Sequence, residues 1–221
     1  MNVSHRFVVI AAIFITCFLT ANIVGVKVVS LGPFILPAAV VLFPLSYIIG
    51  DILTEVYGYR QARRVIWLGF LCNLIFVIIV WVGQVLPPAP NWEWQEAYQS
   101  ILGYTPRLLA ASFCGYLAGE FANSFILAKM KVLTRGRWLW SRTIGSTIVG
   151  QGLDTLIFVT GAYFGAPFFV PIMILHHWLA KIGIEAIATP FTYAVVKFLK
   201  RKEAIDTYDY ETNFNPFRVS D

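Results

Sequence analysis

Ionisable side chains occur inside stretches of the sequence that are otherwise apolar. Asp51 and Glu55 are four residues apart, and His177, Lys181 and Glu185 follow one another in steps of four. On a helix, each of these sets lies on one face. A charged side chain costs about 2.5–3.5 kcal/mol at the centre of a membrane helix, so such residues face a protein interior or a cavity. The pattern predicts a polar site inside a membrane protein.

Two further pairs repeat the pattern at a spacing of three. Glu120 is followed by Asn123, and Gln151 is followed by Asp154. Glu120 and Asp154 have no basic residue three or four positions away. Each is therefore expected to contact substrate, to pair with a distant cation such as Lys27, or to be a protonated acid.

Some of these ionisable residues are predicted to lie at a similar depth in the membrane. At about 1.5 Å per residue, Asp154 and Glu185 lie near the middle of their segments, and Lys181 lies one turn further out. These three side chains are expected to share a central chamber. A simpler interpretation stays open, in which Lys181 and Glu185 neutralise each other as a structural ion pair.

Asp51 and Glu55 are expected at the inner mouth of this chamber, because they lie close to the end of their segment. Arg63 and Arg64 follow within a few residues, and an ion pair between the two groups would close the pathway. The alternative role for Asp51 and Glu55 is to anchor the end of a helix. The candidate inner gate comprises Asp51, Glu55, Arg63 and Arg64.

The elements that carry these residues are predicted to be membrane helices. Of the 221 residues, 58% are hydrophobic and 13% are charged, and a soluble chain of this size could not bury so much apolar surface. Each apolar stretch is long enough to cross a hydrocarbon layer of about 30 Å as a helix. The expected fold class is an all-α membrane protein with six transmembrane helices, at residues 7–29, 35–56, 65–86, 108–130, 144–164 and 172–199.

Basic residues are found at one side of these segments: at Arg6, between the second and third, between the fourth and fifth, and after the sixth. The positive-inside rule makes this side cytoplasmic, together with both termini. Residues 1–202 are predicted to form the transmembrane domain, and residues 203–221, which lack an apolar period, a mobile cytoplasmic tail.

The two halves of three segments would then have opposite orientations, as in a 3+3 inverted repeat. The second and fifth segments, equivalent in such a repeat, contain residues that predict helix interruptions: Pro44 and Gly50 in one, and residues 150–152 in the other. Interrupted helices at matching positions indicate a binding site near the membrane midplane.

Signatures of enzymes and of nucleotide hydrolysis are absent from the sequence. It contains no GxSxG, HExxH or GxxxxGK[ST] motif, and its three cysteines lie in apolar segments without metal-ligand spacing. The net charge of +5 is accounted for by basic cytoplasmic loops rather than by nucleic-acid binding. We expect no enzymatic activity, cofactor, metal or nucleic-acid partner; the expected partners are a small molecule and membrane lipid, and a homo-oligomer is left open.

Short motifs follow one another along residues 7–202. They are Ala21-Asn22-Ile23 with Lys27; Phe43-Pro44; Asp51-Ile-Leu-Thr-Glu-Val-Tyr-Gly58 followed by Ala62-Arg63-Arg64; Gly150-Gln-Gly-Leu-Asp-Thr155; and Lys181 to Glu185 with Thr189-Pro190. In this order, the motifs resemble the queuosine precursor transporter family, also described as vitamin uptake transporters.

The resemblance implies a multi-pass importer in the bacterial inner membrane. Its substrates would be queuosine precursors, the 7-deazaguanine bases preQ0, preQ1 or queuine, which supply the queuosine modification of tRNA. The family's plan is also similar to the S components of energy-coupling-factor vitamin transporters, so the alternative is a substrate-binding S component driven by a partner ATPase. Facilitated uptake and proton coupling are both preferred to ATP as the energy source.

A guanine-like base offers an adjacent ring N–H and exocyclic NH2, and an ionised carboxylate accepts from both. Asp154 is the first candidate for this role, with Glu185 or Glu120 next. Amide side chains can supply a donor to the ring carbonyl, and aromatic side chains, among them Phe158, can stack on the ring. The predicted substrate-binding residues are Asn22, Phe43, Tyr47, Glu120, Asn123, Gln151, Asp154, Lys181 and Glu185.

Overall fold

The fold is a bundle of long helices with one short hairpin. The computed structural model describes residues 4–31, 34–103, 106–165, 169 and 171–218. The long helices are α1 (His5–Val24), α2 (Phe43–Tyr57), α3 (Tyr59–Val85), α5 (Pro106–Leu133), α6 (Leu139–Tyr163) and α7 (Ile172–Glu203), with a short helix α4 (Gln95–Leu102) between α3 and α5. Strands β1 (Val28–Leu31) and β2 (Phe34–Pro37) form an antiparallel hairpin after α1.

Within the described residues, three helical segments are long and apolar enough to cross a membrane: His5–Val24, Tyr59–Val85 and Ile174–Glu203. Their apolar side chains are not all buried inside the bundle. On α3, for example, Ile79 is 64% exposed and Trp81 is 61% exposed. A large exposed apolar surface is a liability in water and is the expected surface in lipid. The structure is therefore that of a helical membrane protein.

The second predicted segment differs from the expectation. The sequence predicted one helix over residues 35–56, but β2 and a short 3-10 helix (Ala38–Val41) occupy its first part, and α2 begins at Phe43. Pro44 fits the first turn of α2, where a missing N–H costs nothing. The 15 residues of α2 span about 22 Å, less than a bilayer core. The prediction was wrong because apolar content does not distinguish a strand from a helix.

Glycines bring α5 and α6 into close contact. A Cβ at Gly119 would lie 2.6 Å from the Cβ of Asp154, and a Cβ at Gly150 would lie 2.7 Å from the Cβ of Asn123. Helix α6 continues from Leu139 to Tyr163 without a break. The predicted interruption at residues 150–152 was therefore wrong. The small residues let two helix backbones approach instead.

We expect Gly150→Leu to lower the thermal unfolding midpoint of the detergent-solubilised protein. The added side chain must push α5 and α6 apart, which costs about 1–3 kcal/mol or more. Gly183→Leu on α7 is the matched control, because a Cβ there meets nothing within 4 Å. Equal midpoints for the two variants would contradict the close-packing interpretation.

Several chain segments meet at one end of the molecule, which we call the basic end. Here α2 turns into α3, α5 turns into α6, and α7 continues into residues 204–218. The Arg6 side chain lies 3.1 Å from the Glu203 carboxylate and joins the start of α1 to the end of α7. Gly58, with φ +84°, makes the turn from α2 to α3.

The tail of residues 204–218 lies across the basic end. The Asp209 carboxylate is buried and accepts a hydrogen bond from the backbone N–H of Tyr59 at 3.1 Å. The Arg63 guanidinium donates to the backbone carbonyls of Asn213 and Asn215 at 2.9 and 2.8 Å. The lack of an apolar period predicted a mobile tail; the structure shows that the tail makes these polar contacts, and its mobility stays a prediction. Every residue type has a backbone carbonyl, so contacts to backbone carbonyls cannot be predicted from the pattern of apolar residues.

Candidate functional site

Polar side chains from four helices meet inside the bundle. The Asp51 carboxylate on α2 accepts a hydrogen bond from Asn123 Nδ2 on α5 at 3.0 Å. Asp154 on α6 forms an ion pair with Lys181 on α7, with 2.5 Å between Oδ2 and Nζ. We call the set Asp51, Glu120, Asn123, Asp154, Lys181 and Glu185 the central acidic cluster.

Glu120 joins this cluster from α5. Its Oε2 lies beside Gly50 of α2, 3.5 Å from the place a Cβ would take. It also lies within electrostatic range of Asp154 and Lys181. Gln151 is buried on α6, one turn before Asp154. The structure therefore brings the predicted residues of α5, α6 and α7 together with Asp51 of α2.

Glu185 stands out because its carboxylate is fully buried without a hydrogen bond. Its exposed fraction is 0%, and neither carboxylate oxygen has a hydrogen-bond partner among the described residues. Asp51 Oδ2 and Asn123 Oδ1 are also buried without a hydrogen-bond partner among the described residues. A buried acceptor without a partner costs about 1–3 kcal/mol. Each of these oxygens can accept a hydrogen bond, and the two carboxylates can also take up a proton.

The ion pair between Asp154 and Lys181 bears on the partners that the sequence had left open. Lys27, the distant cation considered for Asp154, has an exposed side chain between α1 and β1. Lys181 donates to Asp154, and neither carboxylate oxygen of Glu185 has a hydrogen-bond partner among the described residues. Spacing within one helix had left a pair of Lys181 and Glu185 open as an alternative, and the contact between α6 and α7 brings Asp154 to Lys181.

The remaining predicted substrate residues are placed differently. Asn22 on α1 donates to the Asn73 side chain on α3 at 2.6 Å. Phe158 lies edge-on to Tyr163, with ring centroids 5.9 Å apart. The side chains of Phe43 and Tyr47 lie outside the described part of the structure. Their predicted stacking role stays a prediction.

A second charged cluster lies at the basic end and is centred on one carboxylate. Glu55 and Arg142 are each 1% exposed. Glu55 Oε1 lies 2.9 Å from Arg142, 2.7 Å from Lys200 and 3.6 Å from Lys131. Asp206 of the tail bridges Lys131 and Lys200 at 2.6 and 2.8 Å. We call these five residues the Glu55 hub, and it joins α2, α5, α6, α7 and the tail.

The hub differs from the inner gate expected from the sequence. Asp51 lies in the central acidic cluster, and Glu55 bonds to cations of α5, α6 and α7. Arg63 holds the tail carbonyls, and the Arg64 guanidinium donates to Gln61 at 3.4 Å. Sequence reasoning placed Arg142, Lys131 and Lys200 on the basic side without assigning them a role. Their positions at the ends of apolar segments were the available signal.

The tail carboxylate of the hub is held in its charged form. Partial burial of Asp206 would raise the pKa of this carboxyl, but hydrogen bonds from Lys131 and Lys200 outweigh burial and lower the pKa below its ordinary value. Its contribution to stability is therefore present at neutral pH and is lost as the pH falls through the lowered value. The tail contacts are expected to persist through the physiological range.

Both clusters work through charge and hydrogen bonding. Within the described ranges, no group of three or more His, Cys, Asp or Glu residues could hold a metal ion. The central acidic cluster offers hydrogen-bond acceptors inside the bundle, and the Glu55 hub joins four helices and the tail at the basic end.

Comparison with known proteins points to transport. A protein from Bacillus subtilis (strain 168), named "Probable queuosine precursor transporter", is 29% identical over 187 residues, which cover 83% of this chain and 81% of the relative. The "Queuosine precursor transporter" of Escherichia coli (strain K12) is 25% identical over 157 residues, covering 71% of this chain and 66% of the relative. No solved structure matches the chain.

The family match covers most of the chain, the whole central acidic cluster and part of the Glu55 hub. The family described as "Putative vitamin uptake transporter" matches residues 37–195. This range includes the whole central acidic cluster and the Glu55, Lys131 and Arg142 members of the hub. The chain belongs to the "Putative vitamin uptake transporter" family.

Proposed function

We propose that this chain imports queuosine precursors, 7-deazaguanine bases such as preQ0, preQ1 or queuine, across the bacterial inner membrane. Family membership and the names of the relatives support transport of this substrate class. The observation that carries the proposal is the pair of buried acceptors, Glu185 and Asp51, whose free oxygens lie among four helices. No covalent chemistry is involved.

Recognition of the base follows from which oxygens are free. A guanine-like edge presents two adjacent donors, and one ionised carboxylate accepts both when both its oxygens are available. Lys181 occupies one oxygen of Asp154, whereas both oxygens of Glu185 lack a partner among the described residues. Glu185 therefore becomes the first candidate for the bidentate contact. Asp154 and Lys181 belong to the same cluster, and Gln151 and Asn123 are candidates for the contact with the ring carbonyl of the base.

The membrane arrangement in this proposal has six crossings. The basic end faces the cytoplasm with both termini, in keeping with the positive-inside rule. The two halves, α1–α3 and α5–α7, are inverted relative to each other. Labelling of a single cysteine at position 95 tests the orientation: it should react with an impermeant reagent from the outside of intact cells, and reaction from the cytoplasm would reverse the arrangement.

The energy source separates this proposal from its alternative, an S component that needs a partner ATPase. A stripe of small residues on α1, at Cys17, Ala21 and Gly25, would be the docking surface for such a partner. Cys17 is 5% exposed and packs in the core, so this member of the stripe is not available to a partner, whereas Ala21 and Gly25 are partly exposed. We therefore favour facilitated or proton-coupled import by the chain itself.

Purified protein in liposomes tests the function. We expect uptake of labelled preQ1 without ATP or partner proteins, and an unlabelled pyrimidine base should not compete. Binding of preQ1 without uptake would favour the S component. Absence of both would refute the substrate class. An imposed pH gradient that changes neither rate nor accumulation would remove the proton role.

A further inference from the structure

A positively charged cavity opens at the basic end, where the first turn of α6 meets the last turns of α7. Its volume is about 400 Å³. The polar part of its lining consists of Glu55, Arg142, Tyr193, Lys197, Lys200 and Arg201. Four cations against one carboxylate give this lining a net charge of +3. The cavity is therefore suited to an anion.

Several polar atoms of this lining are free to bind a ligand. The Lys197 and Arg201 side chains are exposed and have no hydrogen-bond or ion-pair partner in the part of the chain that the structure describes. Arg142 Nε and Glu55 Oε2 are buried and have no hydrogen-bond partner among the described residues. The Tyr193 hydroxyl accepts from the Trp140 backbone N–H at 2.9 Å, so its own O–H can donate. The lining thus offers several donors and one acceptor.

This combination matches a phosphate that carries a hydroxyl group nearby. Phosphate oxygens accept from guanidinium and ammonium groups, and a hydroxyl donates to a carboxylate. The backbone N–H groups at the start of α6 add the positive end of a helix dipole beside Arg142. A zwitterionic headgroup would leave the net positive charge of the cavity uncompensated.

The surroundings of the cavity indicate a lipid rather than a soluble phosphate. Trp140 is 54% exposed, which is typical of tryptophan at the level of lipid headgroups, and the apolar Phe198 nearby on α7 is 53% exposed. Further along α7, Ile187 and Phe191 are 82% and 59% exposed. They provide an apolar surface for an acyl chain next to the charged cavity.

We propose that this cavity binds the headgroup of an anionic phospholipid of the phosphatidylglycerol class from the cytoplasmic leaflet. The phosphate lies among Arg142, Lys197 and Arg201, and the headgroup hydroxyl donates to Glu55. Basic pockets between membrane helices at the cytoplasmic side bind such headgroups. This site is separate from the central acidic cluster and does not depend on the substrate proposed above.

Equilibrium binding of phosphatidylglycerol to the purified full-length protein in neutral detergent tests this site. We expect Lys197→Gln/Arg201→Gln to bind about 25-fold more weakly than the unmodified chain, fivefold for each charge removed. The matched control is Arg135→Gln/Lys202→Gln, which removes the same charges from exposed residues at the basic end outside the cavity lining. It should keep its affinity within about twofold.

Three results would overturn the proposal. Equal weakening in both double variants would show attraction to general surface charge. Failure of the unmodified protein to prefer phosphatidylglycerol over phosphatidylcholine would remove the anionic lipid. Displacement of the lipid by glycerol phosphate at equal concentration would show that the ligand is a soluble phosphoester. Thermal unfolding midpoints of both double variants, measured without lipid, verify that each is folded.

Discussion

Replacing Glu55 by glutamine is expected to lower the free energy of unfolding by about 3 kcal/mol or more. Removing one member of a buried ion pair typically costs about 3–5 kcal/mol, because the remaining charge stays buried without its partner. Arg142 would lose this partner while remaining 1% exposed. Asp206 still compensates Lys131 and Lys200, so Arg142 carries most of the loss. Unfolding in detergent, followed by circular dichroism, measures the change.

Two further variants identify the cause. Glu211→Gln makes the same chemical change at an exposed position of the tail and should leave the unfolding midpoint nearly unchanged. Glu55→Gln/Arg142→Gln removes both buried charges, and its loss should be smaller than the sum of the two single losses, since the pair is coupled. Strict additivity would show that Glu55 and Arg142 do not interact.

Replacing Glu185 by glutamine is expected to weaken binding of a queuosine precursor by about 30-fold or more. The substitution keeps the size of the side chain but turns one acceptor oxygen into a donor that faces the donors of the base. An unpaired buried polar group costs about 1–3 kcal/mol, and two such groups are created, one on each side of the contact. Equilibrium binding of labelled preQ1 to the detergent-solubilised protein measures the loss.

The comparison with Asp154→Asn identifies the carboxylate that contacts the base. If Glu185 accepts both donors, Asp154→Asn acts through Lys181 and should have the smaller effect. Unchanged affinity in Glu185→Gln together with a large loss in Asp154→Asn would assign the contact to Asp154. Glu211→Gln, whose side chain is exposed in the tail, should bind like the unmodified chain.

Much of the helical framework follows from the distribution of apolar residues. The predicted segments that start at residues 65, 108, 144 and 172 each overlap one helix of the structure. The segment at 35–56 fails, because residues 34–41 are as apolar as a helix but form a strand and a 3-10 turn. Glycines 150 and 152 were assigned to an interruption, although the close approach of α5 explains Gly150 without any break in α6.

The sequence by itself determined that this is a membrane protein with ionisable side chains directed to its interior. That conclusion needs only the residue types and their spacing along one helix, since a charged side chain facing lipid is costly and must therefore face the protein interior or a cavity. Only the tertiary structure decided which charges meet. Asp154 pairs with Lys181, Glu55 pairs with Arg142 and Lys200, and Glu185 is left without a hydrogen-bond partner among the described residues. Ion pairing depends on the distances between helices. Helix packing sets these distances, and they cannot be read from the spacing of residues along one helix.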